Sequence, residues 1–230
     1  MSPAQHRTDW VQPILVDKNG THEHTVAAAA HAAAQAYVEA TPQTLPAFDA
    51  WLDGPFTKTV RRAPAAWLDR ARTELGGTGV AYGGSAAVAL PPVRMSELPK
   101  IVAKAQVAGT DFERTRPALP PAPPVGLAEI AVLNTLTTGK AAAQAAHALV
   151  AWVLDDRRPE AGADRLVPSH VSLAMLADPA GLRVRFVPAH ELHSLEVPAN
   201  VAIRDNGLTE VDPHTLTAVA VVEPGYRRIR

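Results

Sequence analysis

Lys140, Asp205 and the threonines Thr209, Thr215 and Thr217 are the side chains whose types and order could do chemistry. Lys140 falls in the first turn of a predicted helix, directly after the loop Asn134-Thr135-Leu136-Thr137-Thr138-Gly139. An ammonium there meets the partial positive charge of the helix N-terminus, which makes sense if an anion docks on the free N–H groups. The plain alternative is a solvated surface lysine. Asp205-Asn206-Gly207-Leu208-Thr209 and then Thr215-Leu216-Thr217 put an acid at the end of one predicted strand and hydroxyls entering the next. That order gathers a carboxylate and two hydroxyls at one sheet edge, although Asp-Asn-Gly is also a ready turn and threonine an ordinary strand residue.

Competing chemistries fail on residue type. A nucleotide-binding P-loop needs a glycine five residues before its Gly-Lys pair and a Ser or Thr after it; Asn134 and Ala141 occupy those places. No serine–histidine–acid order declares itself. The absence of cysteine removes disulfides, thiolate catalysis and Cys-based metal sites. His22, Glu23, His24 and His31 invite a metal reading, but no pair has the i, i+4 spacing of a helical zinc site and nothing fixes a third ligand. No metal and no cofactor is therefore expected. His147, two turns after Lys140, is expected to pack against the sheet.

With 22 basic and 23 acidic residues the formal charge is −1, so nucleic-acid binding would need a local basic patch rather than a global field. Met1 to Asp9 is polar and carries no apolar signal segment. The alanine-rich stretch Ala27–Ala36 is too short and weakly apolar to span a bilayer. The expected location is the cytoplasm, with no membrane partner.

The elements that must position these residues read as a repeat. Pro13-Ile14-Leu15-Val16 lies beside Glu129-Ile130-Ala131-Val132 at an offset of 116, and the same offset sets Ala27, Ala30, His31 and Ala32 on Ala143, Ala146, His147 and Ala148. Thr59 to Leu68 then matches Arg183 to Leu192, an alternating strand followed by a helix-opening proline, Pro64 or Pro188. Val80-Ala81-Tyr82 matches Val201-Ala202-Ile203, and Ala86–Leu90 matches Leu216–Val222.

The pattern predicts an α/β chain of two tandem β-α-β-α-β-β units, over 10–94 and 125–225. Each unit is expected to form a mixed four-stranded sheet flanked by helices in three α/β/α layers. Residues 95–124 are read as a helix and a proline-rich linker. Val167–Ala177 reads as an added strand, and Trp51–Phe56 as an aromatic turn without counterpart.

Gly139-Lys140-Ala141-Ala142-Ala143-Gln144-Ala145-Ala146-His147-Ala148 resembles the Gly-Lys-x-Ala-Ala-Gln-x-x-His-Ala segment of type 2 (archaeal and eukaryotic-type) peptidyl-tRNA hydrolases. Asp205-Asn206-Gly207-Leu208-Thr209 with Thr217 is similar to that family's Asp-Ala-Gly-Arg-Thr and following Thr-x-Thr strand, with Leu208 in place of the arginine. The resemblance covers most of residues 126–224. It implies hydrolysis of the ester joining a peptide to tRNA, with catalytic roles falling on Lys140, Asp205, Thr209 and Thr217.

On that footing Lys140 would hold the ester or phosphate oxygens while Asp205 and the hydroxyls orient the attacking water. Arg183, Arg185, Arg227, Arg228 and Arg230 would supply basic surface for peptidyl-tRNA. The first unit, with His24 set against Lys140 and Gly84 against Asp205, is expected to be degenerate. It would stand in for the second subunit of the family homodimer in a monomeric pseudo-dimer. The alternative is a non-catalytic member of the same superfamily that binds RNA or protein.

Overall fold

The structure, a computed structural model, describes residues 9–123, 125–160, 166–205 and 210–226. It is mixed α/β, with seven α-helices and two larger mixed sheets among the described residues. The first sheet is built from β1 (Trp10–Asp17), β2 (Thr57–Ala63), β3 (Thr78–Tyr82), β4 (Ser85–Ala89) and the short β5 (Val93–Arg94). Its order is β2-β1-β4-β3, with β5 antiparallel on β1. Helices α1 (His22–Val38), α2 (Leu45–Leu52), α3 (Ala65–Glu74) and α4 (Lys100–Lys104) belong to this half.

The second sheet contains β6 (Leu127–Leu133), β9 (Val184–Val187), β10 (Val201–Arg204) and β11 (Leu216–Val222), in the order β10-β11-β6-β9. Its helices are α5 (Thr138–Asp155), α6 (His170–Ala177) and α7 (Ala189–Ser194). A small hairpin of β7 (Arg157–Pro159) and β8 (Leu166–Pro168) precedes α6. Read from its β9 edge, this sheet repeats the order and pairing senses of the first. β1 is parallel to β2 and antiparallel to β4; β6 is parallel to β9 and antiparallel to β11.

The registers agree as well. Ile14 pairs with Val60 and Ala89, and Ile130 pairs with Val184 and Ala220. On the outer strands Thr78 pairs with Ala89 and Val201 with Ala220. The third strand thus matches as Thr78-Gly79-Val80 against Val201-Ala202-Ile203, two residues earlier than the sequence match. Similarity of short apolar strands cannot fix register; hydrogen bonding to a shared neighbour does.

The alanine-rich helices explain how the halves join. α1 packs on α5, and the pair lies between the sheets, α1 against β1, β3 and β4 and α5 against β6, β10 and β11. A helix apolar on every side has to be buried on every side, and Ala28, Ala29, Ala30, Ala32, Ala33 and Ala34 are wholly so. Small side chains let both helices fit in one layer. The resulting core is continuous, joining Ile14 and Val16 to Ile130 and Val132. Leu15, pointing to the other face of β1, enters a separate core with Leu68, Ala71 and Val102.

The two histidines matched at the offset of 116 each reach across the seam. His31 Nε2 donates to the carbonyl of Leu176 in the second half, at 2.8 Å; His147 Nε2 donates to that of Phe56 in the first, at 2.9 Å. His147 accordingly packs on the Phe56 ring, centroids 5.0 Å apart, rather than on its own sheet.

Two further expectations change. Val167–Ala177 is strand only at its start, in β8; from His170 it is α6, which Ser169 caps by accepting from the Ser172 N–H. In 95–108 the helix is confined to α4 after a 3-10 turn, because Pro99 restricts Leu98 to extended backbone. Among the described residues no helix is long and apolar enough to cross a membrane.

Candidate functional site

Lys140 and Asp205 converge. The Lys140 ammonium forms an ion pair with Asp205 Oδ2, their side chains 14% and 4% exposed. Gln144 Nε2, one helical turn beyond Lys140, donates to the same oxygen at 2.7 Å. Two donors on one helix face therefore hold one nearly buried carboxylate. The backbone around Asp205 is fixed too, its N–H donating to Thr215 O at 2.9 Å and its carbonyl accepting from His214 N at 2.7 Å. The β10–β11 register shifts between Ile203 and Arg204. A bulge there bends the strand end and re-aims the residue that follows it.

These residues line a cleft of about 500 Å³. Its second-half wall includes Gly139, Lys140, Gln144, His147, Asp205 and Glu210. The opposite wall comes from Pro55, Thr57, Lys58 and Thr59 of the first half, and 107–110 of the connecting segment close one side. The cleft is a joint between halves, which no reading of the second half alone could show.

The α5 N-terminus does not offer its N–H groups to an outside anion, contrary to the expectation from Lys140. Thr137 N donates to Glu210 Oε2 at 3.1 Å, Thr138 N to Asp111 Oδ1 at 3.2 Å and Gly139 N to Thr110 O at 2.8 Å. The chain's own acids fill the anion position. Lys140 is turned instead toward Asp205.

The other expected residues are placed differently. Thr217 is wholly buried, donates to Ile203 O at 3.2 Å and is not among the cleft-lining residues. Thr209 lies outside the described residues, as do Leu208, Arg227, Arg228 and Arg230. Arg183 and Arg185 stand on and beside β9, at the opposite edge of the sheet from β10. Arg185 is bonded to Glu129 and Glu191, and Arg183 lies 4.0 Å from Glu129, so neither reaches the cleft.

Sequence reading missed Lys58. It is 8% exposed, its Nζ has no hydrogen-bond partner among the described residues, and it lies 4.5 Å from the centroids of both Trp51 and Phe56. Burial holds its amine well below the usual lysine range, and burial with the nearby Lys58 likewise lowers His147. The aromatic segment without counterpart, followed two residues on by a lysine in a strand, was the available signal.

In the first half the corresponding place is closed. The two-residue β3–β4 turn, Gly83 and Gly84 at φ +52° and +86°, brings Gly83 against the His24 ring, where a Cβ would lie 2.5 Å from a ring carbon. Tyr82 ends β3 beside this turn, and its ring lies 5.6 Å from that of His24. Among the described residues no three His, Asp or Glu side chains are grouped to hold a metal ion. No protein-family model matches the chain and no curated protein matches it.

Proposed function

We propose that the chain is a peptidyl-tRNA hydrolase-like esterase with one site, at Lys140 and Asp205, built on a tandem duplication whose first unit plays the part of a second subunit. The shared strand order, the matched registers and the reciprocal His31 and His147 contacts support the duplication. The observation that carries the activity is the Lys140–Asp205 pair, held by Gln144 at the wall of an open cleft.

Asp205 accepts protons and Lys140 supplies an ammonium beside it. A water bound to Asp205 would be oriented toward an ester carbonyl whose oxygen lies on Lys140. As the carbonyl becomes an oxyanion it gains from Lys140 a charge stabilisation that the ground state lacks; its collapse breaks the ester bond, and the departing tRNA 3′ oxygen takes the proton that Asp205 accepted from the water. Gln144 keeps the carboxylate oriented when Lys140 turns toward substrate. The competing reading is a non-catalytic RNA- or protein-binding module, favoured by the internal capping of α5. Hydrolysis of peptidyl-tRNA by the purified chain decides between them. Turnover is expected for the wild type and its loss for Lys140→Ala and Asp205→Ala; an inactive wild type would remove the esterase reading.

A further inference from the structure

Lys58 stands at the wall of the cleft opposite α5, on a strand of the half that lacks the Lys140–Asp205 pair. The fold does not require an amine there. Val60 pairs with Ile14 as Val184 pairs with Ile130, which puts Leu182 in the second half at the place of Lys58. Leu182 is fully buried, so an apolar side chain satisfies the position. A buried amine with no acceptor for its N–H groups is unfavourable, and residues that break the local rules of a fold concentrate where function demands them.

The surroundings narrow its role. The Trp51 and Phe56 rings stabilise a cation through their faces, but rings leave the three ammonium donors without oxygen acceptors. The other charged side chains of the cleft are engaged: Lys140 with Asp205, Arg204 with Glu196, and Glu210 with Thr137. An oxyanion arriving in the cleft would find in Lys58 a cationic donor that has no oxygen acceptor among the described residues.

We propose that Lys58 binds a phosphate group of the ligand, so that the first half contributes a binding residue to the site in the second. This rests on the cleft at Lys140 and Asp205 being where ligand binds. A phosphate there would satisfy the ammonium and favour its charged form. Lys140, His147, Arg204, Asp205 and Glu210 are the ionisable groups facing it across the cleft.

The test is calorimetric titration of the full chain with inorganic phosphate and, separately, with the dinucleotide CpA. Wild type is compared with Lys58→Met, which keeps the apolar stem and removes the amine. Binding of at least one ligand is expected, weakened about tenfold to a hundredfold in the variant, as for loss of a charged hydrogen bond. The urea midpoint of Lys58→Met should be unchanged or raised. A lysine kept for structure would give the reverse, a lowered midpoint with binding intact.

Tighter binding of CpA than of phosphate would assign the group to a nucleic-acid backbone, and the opposite order to the free ion. Equal binding by both proteins, or no binding of either ligand by the wild type, overturns the proposal. Lys58→Leu, which copies the other half, is the second variant, and loss of folding in both overturns it too. Lys58-dependent binding without peptidyl-tRNA cleavage would keep this inference and remove the esterase reading; cleavage with binding indifferent to Lys58 would do the opposite.

Discussion

His22, the first residue of α1, is hydrogen-bonded to Thr138, the first residue of α5, at 2.9 Å, and the two stand 116 residues apart in the chain. That separation equals the offset of 116 between the matched sequence stretches, so under the proposed duplication equivalent helix starts touch each other, as self-complementary contacts do at a two-fold axis. Arg114 donates to His22 Nε2 at 3.2 Å, which leaves Nδ1 as the nitrogen that donates to Thr138 Oγ1. Thr138 Oγ1 also accepts from Phe112 N at 2.8 Å. Thr138→Val should cost about 1–3 kcal/mol for each buried donor left unsatisfied. Urea unfolding measures it, and the continuous core predicts one transition for both halves rather than two.

Protonation of His22 should destabilise the fold. Burial, and after it the Arg114 guanidinium, lowers its pKa from 6.5 to about 4. Between those values the unfolded chain binds the proton and the folded chain does not, so stability falls with falling pH. The contribution is complete above about pH 6.5 and is lost progressively toward about pH 4. His31, also lowered by burial, adds a slope of the same sign. Urea midpoints across this range should fall less steeply for His22→Asn than for the wild type; equal slopes would move the effect to other groups.

Breaking the Lys140–Asp205 pair should separate stability from activity. Lys140→Ala leaves a nearly buried carboxylate with Gln144 as its remaining side-chain donor on α5, at a cost on the order of 3 kcal/mol. Asp205→Asn is nearly isosteric and should cost less. Both should lower peptidyl-tRNA hydrolysis by about a hundredfold or more. Retained turnover in Asp205→Asn would place the chemistry elsewhere.

Arg185 should behave as a structural residue. Its bonds to Glu129 and Glu191 tie β9 to β6 and α7. Arg185→Ala should destabilise by about 1–3 kcal/mol while leaving the salt dependence of tRNA binding unchanged. A smaller salt slope would show that the arginine neutralises phosphate.

Gly83→Ala tests the closed end of the first half. It forces a side chain into positive φ and against the His24 ring, which should cost more than about 1 kcal/mol. Thermal unfolding should register this with hydrolysis unaffected, since the cleft lies elsewhere.

Much of this is legible in the sequence. Strand and helix periodicity gave the mixed α/β class, and the types of Lys140 and Asp205 marked them as candidates. Local signals failed where contacts between distant segments decide. The matching of β3 depended on β4 and on its pairing to β1, and the conformation of 167–177 on Asp156 after α5, whose carboxylate accepts from Ser169 and Ser172. His147 found its partner in Phe56, 91 residues away.

The sequence by itself determined which residues are apolar at which period, and hence which elements form and which faces they bury. Tertiary structure decided the rest. Electrostatic attraction and a strand bulge bring Lys140 to Asp205. The acids that cap α5 come from the linker and from beyond β10. The packing of two alanine helices in one layer sets Lys58 of one half across from the carboxylate of the other.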